Sequence, residues 1–352
     1  MISSTSSHDS KLEMKLTHVV WIQTAFIGDI VLSTAAANAL HNELTEVKQH
    51  FITTPLGKGA IGHSRFFESI VSYNKRGGTS EIFKVVNEIK KLNLPKESTV
   101  ILQPHKSLRS SILSRILGFK TITYSETIGK KRSSIVVPRV SMLHEVNRIK
   151  LLLEPIGITR EKSFQYMPFL EPEFNDQYLS SNKKYIAIAP GSVWATKKWG
   201  KEGFLQVVKK IINKTDDYIV ILGSPAEQVD AQFILDGLSY AEKKKVVNLA
   251  GKTGLNDLRS IYPKLNALVC NDSSPIHYAS AFNVPTVAIF GATKPAMGFG
   301  PLADKHVVVE NRELDCRPCS DHGPKVCPLG HFKCMKSVSP QKVFDALLDL
   351  VY

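Results

Sequence analysis

The run from Ala267 to Gly291 constrains the fold more than any other part of the chain. Ala267 to Cys270 is apolar and short enough for a buried strand. Asn271-Asp272-Ser273-Ser274-Pro275 is small, polar and turn-forming. Ile276 to Phe282 has a helical pattern, and the apolar run Val284 to Phe290 closes at Gly291. Strand, short turn, helix and strand in that order make a βαβ unit, which needs a parallel sheet covered on both faces. The turn aims backbone N–H groups and a helix N-terminus at one spot, a natural anion site. A carboxylate, two hydroxyls and the imidazole of His277 surround that spot. The ligand chemistry that fits is a phosphate carrying a hydroxyl-rich sugar.

The same grammar runs through the rest of the chain. His18–Gln23, Phe51–Thr53, Thr99–Gln103 and Thr121–Tyr124 read as strands. Between them lie a helical pattern through Leu40, a glycine-rich loop over Gly57–Gly62, a helix over Glu81–Leu92 and a basic amphipathic helix over His105–Leu117. A helix over Leu143–Leu153 is expected to stop before Pro155, and Gly157–Lys184 reads as a linker. The pattern then restarts with strands over Tyr185–Ala189, Tyr218–Leu222 and Val246–Leu249, helices over Glu202–Asn213, Ala226–Leu238 and Leu255–Tyr262, and a last helix over Gln341–Val351. Alternating strands and helices predict an α/β chain with parallel sheets. Its 352 residues exceed one ordinary core, since domains average roughly 100–200 residues. The expected organisation is an extension over residues 1–15, one domain over 16–170 and a second over 171–352.

Composition narrows the function. Hydrophobic residues make up 43% and charged residues 22%, ordinary for a globular protein. No apolar run approaches the ~18–20 residues that span a bilayer. Residues 1–15 are polar and Ser-rich, without the apolar core of a signal peptide, and read as disordered, with Met14 as an alternative start. The five cysteines are unevenly spread, which suits a reducing cytoplasm. The net charge of +13 favours encounter with anionic partners. No interleaved aromatic and basic pattern and no DNA-reading motif is present, so nucleic acid is not expected.

Five motifs carry candidate chemistry. Gly28-Asp29 follows the first strand; Asp29 can act as a general base on an incoming hydroxyl or serve as a helix N-cap. Pro190-Gly191-Ser192-Val193-Trp194-Ala195-Thr196-Lys197-Lys198-Trp199 follows the first strand of the second half. There Ser192 and Thr196 offer hydroxyls and Lys197 a cation for a diphosphate, while Trp199 reads as core packing; the spacing is not a Walker loop. Glu227, after Gly223, can bond ribose hydroxyls or answer a helix dipole. Asp272, Ser273 and His277 ring the anion spot, with a packed histidine as the alternative for His277. Cys316, Cys319, Cys327 and Cys334 form a late cluster that can hold a structural zinc, remain as packed thiols or form a disulfide.

In this order the motifs resemble the bacterial lipopolysaccharide heptosyltransferases, glycosyltransferases of the GT-B fold. The resemblance rests on Gly28-Asp29, on Pro190-Gly191 with Lys197-Lys198-Trp199, and on Asn271-Asp272-Ser273 with His277 and Val284-Pro285…Phe290-Gly291. The loop Cys316-Arg317-Pro318-Cys319…Cys327-Pro328-Leu329-Gly330-His331…Cys334-Met335 is similar to the heptosyltransferase II branch, which adds the second heptose of the inner core. The resemblance implies two Rossmann-like, doubly wound domains facing a central cleft, the N-terminal one for the acceptor and the C-terminal one for the nucleotide sugar. It implies an inverting transfer from ADP-heptose that requires no metal, with Asp29 as base and Ser192, Lys197, Glu227, Asp272, Ser273 and His277 on the donor; Thr196 and Ser274 join the donor set by their place in the same loop and turn. Where that family has a glycine after the Asp-Ser/Thr pair, this chain has Ser274. Lys106 and Arg109, after Gln103-Pro104-His105, are placed on the acceptor's phosphates by position and charge alone. An anionic lipid acceptor at the cytoplasmic face of the inner membrane would account for the basic charge. A related transferase with another nucleotide sugar, and a sugar-nucleotide binder without turnover, are the competing readings.

Overall fold

The computed structural model describes residues 12 and 14–352. The extension expected over residues 1–15 lies outside these, except for Leu12, Met14 and Lys15. Leu12 N–H donates to the Pro155 carbonyl at 2.9 Å. The chain divides into two compact units, one of residues up to Ser141 with Glu145–Pro168, the other of Met142–His144 with Phe169–Tyr352.

The first unit is built on six strands: β1 (His18–Ile22), β2 (Lys48–Thr53), β3 (Ser69–Ser72), β4 (Thr99–Gln103), β5 (Lys120–Tyr124) and β6 (Ile135–Val137). All pairs are parallel, in the order β3-β2-β1-β4-β5-β6. The second unit has β7 (Tyr185–Ala189), β8 (Tyr218–Ile221), β9 (Val246–Asn248), β10 (Leu265–Asn271), β11 (Thr286–Phe290) and β12 (His306–Glu310). Its pairs are also parallel, in the order β12-β11-β10-β7-β8-β9. In each sheet the order reverses once, beside β1 and β4 in the first and beside β7 and β10 in the second. At such a reversal the flanking crossovers leave in opposite directions, and the loops after the strands open a crevice. Both candidate sites grow from those loops.

Burial follows the strand order. β4, β7 and β11 are buried along their whole length, as strands covered on both faces must be. The edge strands β3, β6, β9 and β12 are only partly covered. Each unit closes its own core. Val20, Ile22, Ile52, Val85, Ile89 and Ile101 lead the first, and Ile186, Ile188, Phe204, Val208, Ile289 and Leu347 the second. Trp199 joins the second core edge-on to Phe204 at 4.9 Å, its indole N–H on the Val338 carbonyl at 3.2 Å.

The structure departs from sequence expectation in four places. Gly57–Gly62 is not a loop, because Pro55–Ile61 is helical: Thr54 caps it by accepting from Gly57 N–H at 3.1 Å, and Pro55 opens it. The glycine serves close packing, since a Cβ at Gly57 would lie 2.2 Å from Thr53 Oγ1. The helix Glu145–Lys150 does not stop before Pro155 but tightens into a 3-10 stretch, Leu151–Ile156, that carries the proline and ends at Gly157. The expected linker holds a short helix, Arg160–Phe164. Finally, β3, β6 and β12 are strands beyond those expected; each is short and at a sheet edge, with two or three consecutive apolar residues.

Candidate active site

In the first unit the site begins where β1 ends. Gln23 and Thr24 are buried, and the helix Ile27–Glu43 starts after an exposed Phe26. Phe26, not Asp29, holds the N-cap position, so the cap reading of Asp29 is corrected. Asp29 sits in the first helical turn, half-buried. Burial and the nearby Glu145 carboxylate raise its pKa to about 7, while the Phe26 backbone N–H, Arg139 and Lys106 pull the other way. A carboxyl poised near neutrality is suited to take a proton at physiological pH.

Around it stands a network that the sequence did not announce. Glu145 accepts from Arg139 at 2.7 Å and from Arg148 at 3.0 Å, and Glu126 lies 2.9 Å from Lys106 and 3.7 Å from Arg139. Lys106 is thus paired, and Arg109 donates to the Lys75 carbonyl at 2.5 Å. Lys75 in turn donates to the carbonyl of Thr24. His105 bonds the Thr24 hydroxyl at 2.8 Å. Its pKa falls to about 4, through burial and then Lys75 and Lys106, so it is a neutral imidazole. Arg139 and Lys75 follow β6 and β3, the two strands hardest to see in the sequence. That position, just past a strand end, is the signal that would have found them.

In the second unit the site is organised by Asn271, fully buried at the end of β10. Its amide donates to the carbonyls of Pro190 at 2.8 Å and Gly191 at 3.2 Å, and its oxygen accepts from Trp199 N–H at 2.9 Å. One side chain therefore ties both ends of the Pro190–Trp199 loop to the neighbouring strand. Lys197 lies 2.8 Å from Asp272, which also accepts from Thr293 at 2.5 Å. An ammonium has three donors, so Lys197 keeps two for another anion while Asp272 holds its direction. Ser192 is half-buried and accepts from Trp194 N–H at 3.3 Å. Thr196 is buried and its hydroxyl donates to the Pro324 carbonyl at 2.5 Å.

Glu227 spends one oxygen on Ser224 N–H at 2.6 Å, within a capping box. The other oxygen lies so close over Gly191 that a Cβ there would fall 1.8 Å from it. Gly191 is thus the residue that lets this acid reach the loop. Ser273 is half-buried with its hydroxyl on the Asn271 carbonyl at 3.3 Å. Ser274 opens the helix Pro275–Phe282 at φ −53 and ψ −30, ordinary helical values that require no glycine. His277 is buried, its Nδ1 without a hydrogen-bond partner, and its ring stands 6.4 Å edge-on from Phe299. Burial, then His144 and Lys197, push its pKa to about 3. It can only act as a neutral hydrogen-bonding group.

The cysteine loop braces this site. Arg317, buried, donates to the Thr293 carbonyl at 2.6 Å and pairs with Glu310 at 2.8 Å, and it also reaches the Gly291 carbonyl. Gly323, at φ +77, packs against the Lys197 stem. The four thiols are free. Among the described residues no group of three His, Cys, Asp or Glu side chains is gathered to hold a metal ion. Cys319 donates to the Cys316 carbonyl at 3.2 Å, and Cys334 sits in the hydrophobic core. Backbone N–H groups of Phe332, Leu329, His331 and Gly330 hold the Cys327 thiol below its usual range.

The geometry groups the predicted residues into two sets. Asp29, Lys106 and Arg109 lie in the first unit, and Ser192, Thr196, Lys197, Glu227, Asp272, Ser273, Ser274 and His277 in the second. Known proteins resemble the chain over most of its length. Lipooligosaccharide heptosyltransferase 2 of Campylobacter jejuni (serotype O:6, strain 81116) is 25% identical over 332 residues, covering 92% of this chain and 96% of the relative. The E. coli ADP-heptose LPS heptosyltransferase II structure has a similar fold, with a TM-score of 0.78 at 19% identity, covering 95% of this chain and 98% of that one. A glycosyl transferase family 9 structure from Veillonella parvula gives 0.82 at 19% identity, covering 97% and 99%. The family model of glycosyltransferase family 9 (heptosyltransferase) matches residues 92–329, more than half of the chain, and the chain therefore belongs to that glycosyltransferase family.

Proposed function

We propose that this chain transfers heptose from ADP-heptose to a heptose hydroxyl of the lipopolysaccharide inner core, adding the second heptose. The names of its relatives, heptosyltransferase 2 and ADP-heptose LPS heptosyltransferase II, support this reading. The observation that carries it is the Asp29 carboxyl, raised to about 7 beside a cluster of cations. In the proposed reaction Asp29 takes the proton of the acceptor hydroxyl. That oxygen attacks the anomeric carbon from the side opposite the diphosphate, the sugar–phosphate bond breaks, and ADP leaves with its electron pair. The configuration at carbon inverts. Lys197 meets the charge that develops on the departing diphosphate, and the Glu227 carboxylate over Gly191 takes the ribose hydroxyls. Neutral His277 fits a sugar hydroxyl better than a phosphate. Lys106 and Arg109 face the acceptor's phosphates.

The fold behind these roles is proposed to be GT-B, from two Rossmann-like units, working at the cytoplasmic face of the inner membrane. No metal is required in this scheme, and full activity in a chelator checks that point. The decisive experiment offers ADP-heptose and UDP- and GDP-hexoses with a lipopolysaccharide acceptor carrying one heptose, read by mass spectrometry. Heptose addition with wild type and its loss in Asp29→Asn, with ADP still bound, is the expected result. Preference for a UDP-sugar would overturn the donor assignment. Transfer by Asp29→Asn at the wild-type rate would overturn the base.

A further inference from the structure

The helix Leu108–Leu117 is amphipathic in the reverse sense. Its buried side carries Ser110, Leu113 and Ser114, yet Leu108, Ile112 and Ile116 are 52%, 40% and 41% exposed. Residues spaced by four share one helix face, and a surface helix ordinarily turns its polar residues to water. Here three aliphatics face out, accompanied by the exposed Arg109 and Arg115. Across a groove of about 670 Å³ from Leu108, Ile112 and Arg115 lies the turn bearing Lys130, Lys131 and Arg132.

That turn is fixed to the helix. Ser111 donates to the Ile128 carbonyl at 2.6 Å, and Ile128 N–H donates to the Lys106 carbonyl at 3.1 Å. Gly129, at φ +89, lets the backbone pass so close that a Cβ would sit 3.2 Å from Ser111. Ile128 adds a fourth outward aliphatic, 59% exposed. The ion pairs among the described residues use none of Arg115, Lys130, Lys131 or Arg132. The Lys130 ammonium donates to a backbone carbonyl, that of Ser125.

A partner that satisfies this face must accept aliphatic side chains and supply negative charge side by side. A nucleic acid would meet the cations and leave the aliphatics wet. We propose that this face docks on an anionic lipid bilayer, with Leu108, Ile112, Ile116 and Ile128 entering the headgroup boundary and the four cations against lipid phosphates. The surface deepens the function proposed above, on which it rests for its lipid-borne acceptor. Lys106 and Arg109, assigned there to acceptor phosphates, adjoin the stripe at its N-terminal end. No described helix is long and apolar enough to cross a membrane, so the attachment proposed is to the surface.

Flotation of the full chain with mixed phosphatidylglycerol–phosphatidylcholine vesicles, and with phosphatidylcholine alone, tests this. Wild type is expected on the anionic vesicles only, with binding that weakens as salt rises. The triple variant K130Q/K131Q/R132Q is expected to bind about a hundredfold more weakly, from about fivefold per cation near the surface. Ile112→Gln with Ile116→Gln should also reduce binding while leaving the charge unchanged. Both variants should transfer sugar to a delipidated, soluble acceptor at the wild-type rate. Equal binding to neutral vesicles, undiminished binding by the triple variant, or preferred capture of duplex DNA would each overturn the surface. Failure of wild type to transfer to any acceptor would overturn the function and leave the flotation result readable.

Discussion

At Asp29 the chain holds a negative charge where burial and Glu145 oppose it and Phe26, Arg139 and Lys106 support it. The balance sets the pH behaviour. The base works only when ionised, so kcat/KM should fall as pH drops through about 7. Glu145→Gln removes the raising neighbour and leaves Arg139 and Arg148 less neutralised, so that limb should move to lower pH, checked by rate profiles of the two proteins. The variant should also lose about 3–5 kcal/mol of stability, because it breaks the buried Arg148–Glu145 ion pair. Stability carries the opposite sign at Asp29 itself. Its folded value is raised from 3.8 to about 7, so folding favours the protonated form, and the stabilisation fades as pH rises between those values. Asp29→Asn should therefore abolish transfer and melt no lower than wild type above pH 7, read by thermal unfolding. Lys197→Met makes the contrast, since Asp272 would remain buried with Thr293 as its one neutral donor. It should lose both donor affinity and several degrees of melting temperature. Asp29 was legible because it stands just past an obvious strand and glycine. Its modulators were not, because Glu145 and Arg139 come from distant segments and no spacing rule links them to it.

Elements explain why some of the fold could be read and some could not. Strands covered on both faces, such as Thr99–Gln103 and Tyr185–Ala189, are continuous apolar runs, and their limits were read as the structure has them. The edge strand Ser69–Ser72 is polar at both ends and loses that signature, and Ile135–Val137 is apolar but only three residues long. The helix Pro55–Ile61 was hidden by its two glycines, although Thr54-Pro55 is a cap followed by a preferred first residue. Asn271 belongs to the turn motif, but nothing in the sequence marks its role. Its three hydrogen bonds show why an asparagine suits the place: a short primary amide offers two donors and an acceptor at a strand end to a loop with both polarities exposed. Asn271→Ala leaves two carbonyls and one N–H without partners, each costing about 1–3 kcal/mol when buried. The variant should melt lower and raise the donor KM more than it lowers kcat, which steady-state kinetics would show. Unchanged donor KM with a lower melting temperature would limit Asn271 to a role in stability.

Across the whole molecule the chemistry is partitioned by unit. The proposed base and the acceptor cations belong to one sheet and core, and every proposed donor group to the other. A ligand stabilises the state that binds it by RT ln(1 + [L]/Kd), about 2.7 kcal/mol at a hundredfold excess over Kd. That free energy slows local opening where the contacts are made. Hydrogen exchange with ADP should therefore slow at the amides of the Pro190–Trp199 loop, the Ser224–Glu227 turn and the start of the helix Pro275–Phe282. The helix Ile27–Glu43 should keep the exchange rates it has without nucleotide. Lys197→Met should erase the protection while leaving the exchange of β4 and β1 as it was. Protection by ADP centred on Asp29 and the Lys106–Arg109 segment would reverse the assignment, making the first unit the nucleotide site and removing Asp29 from the role of base.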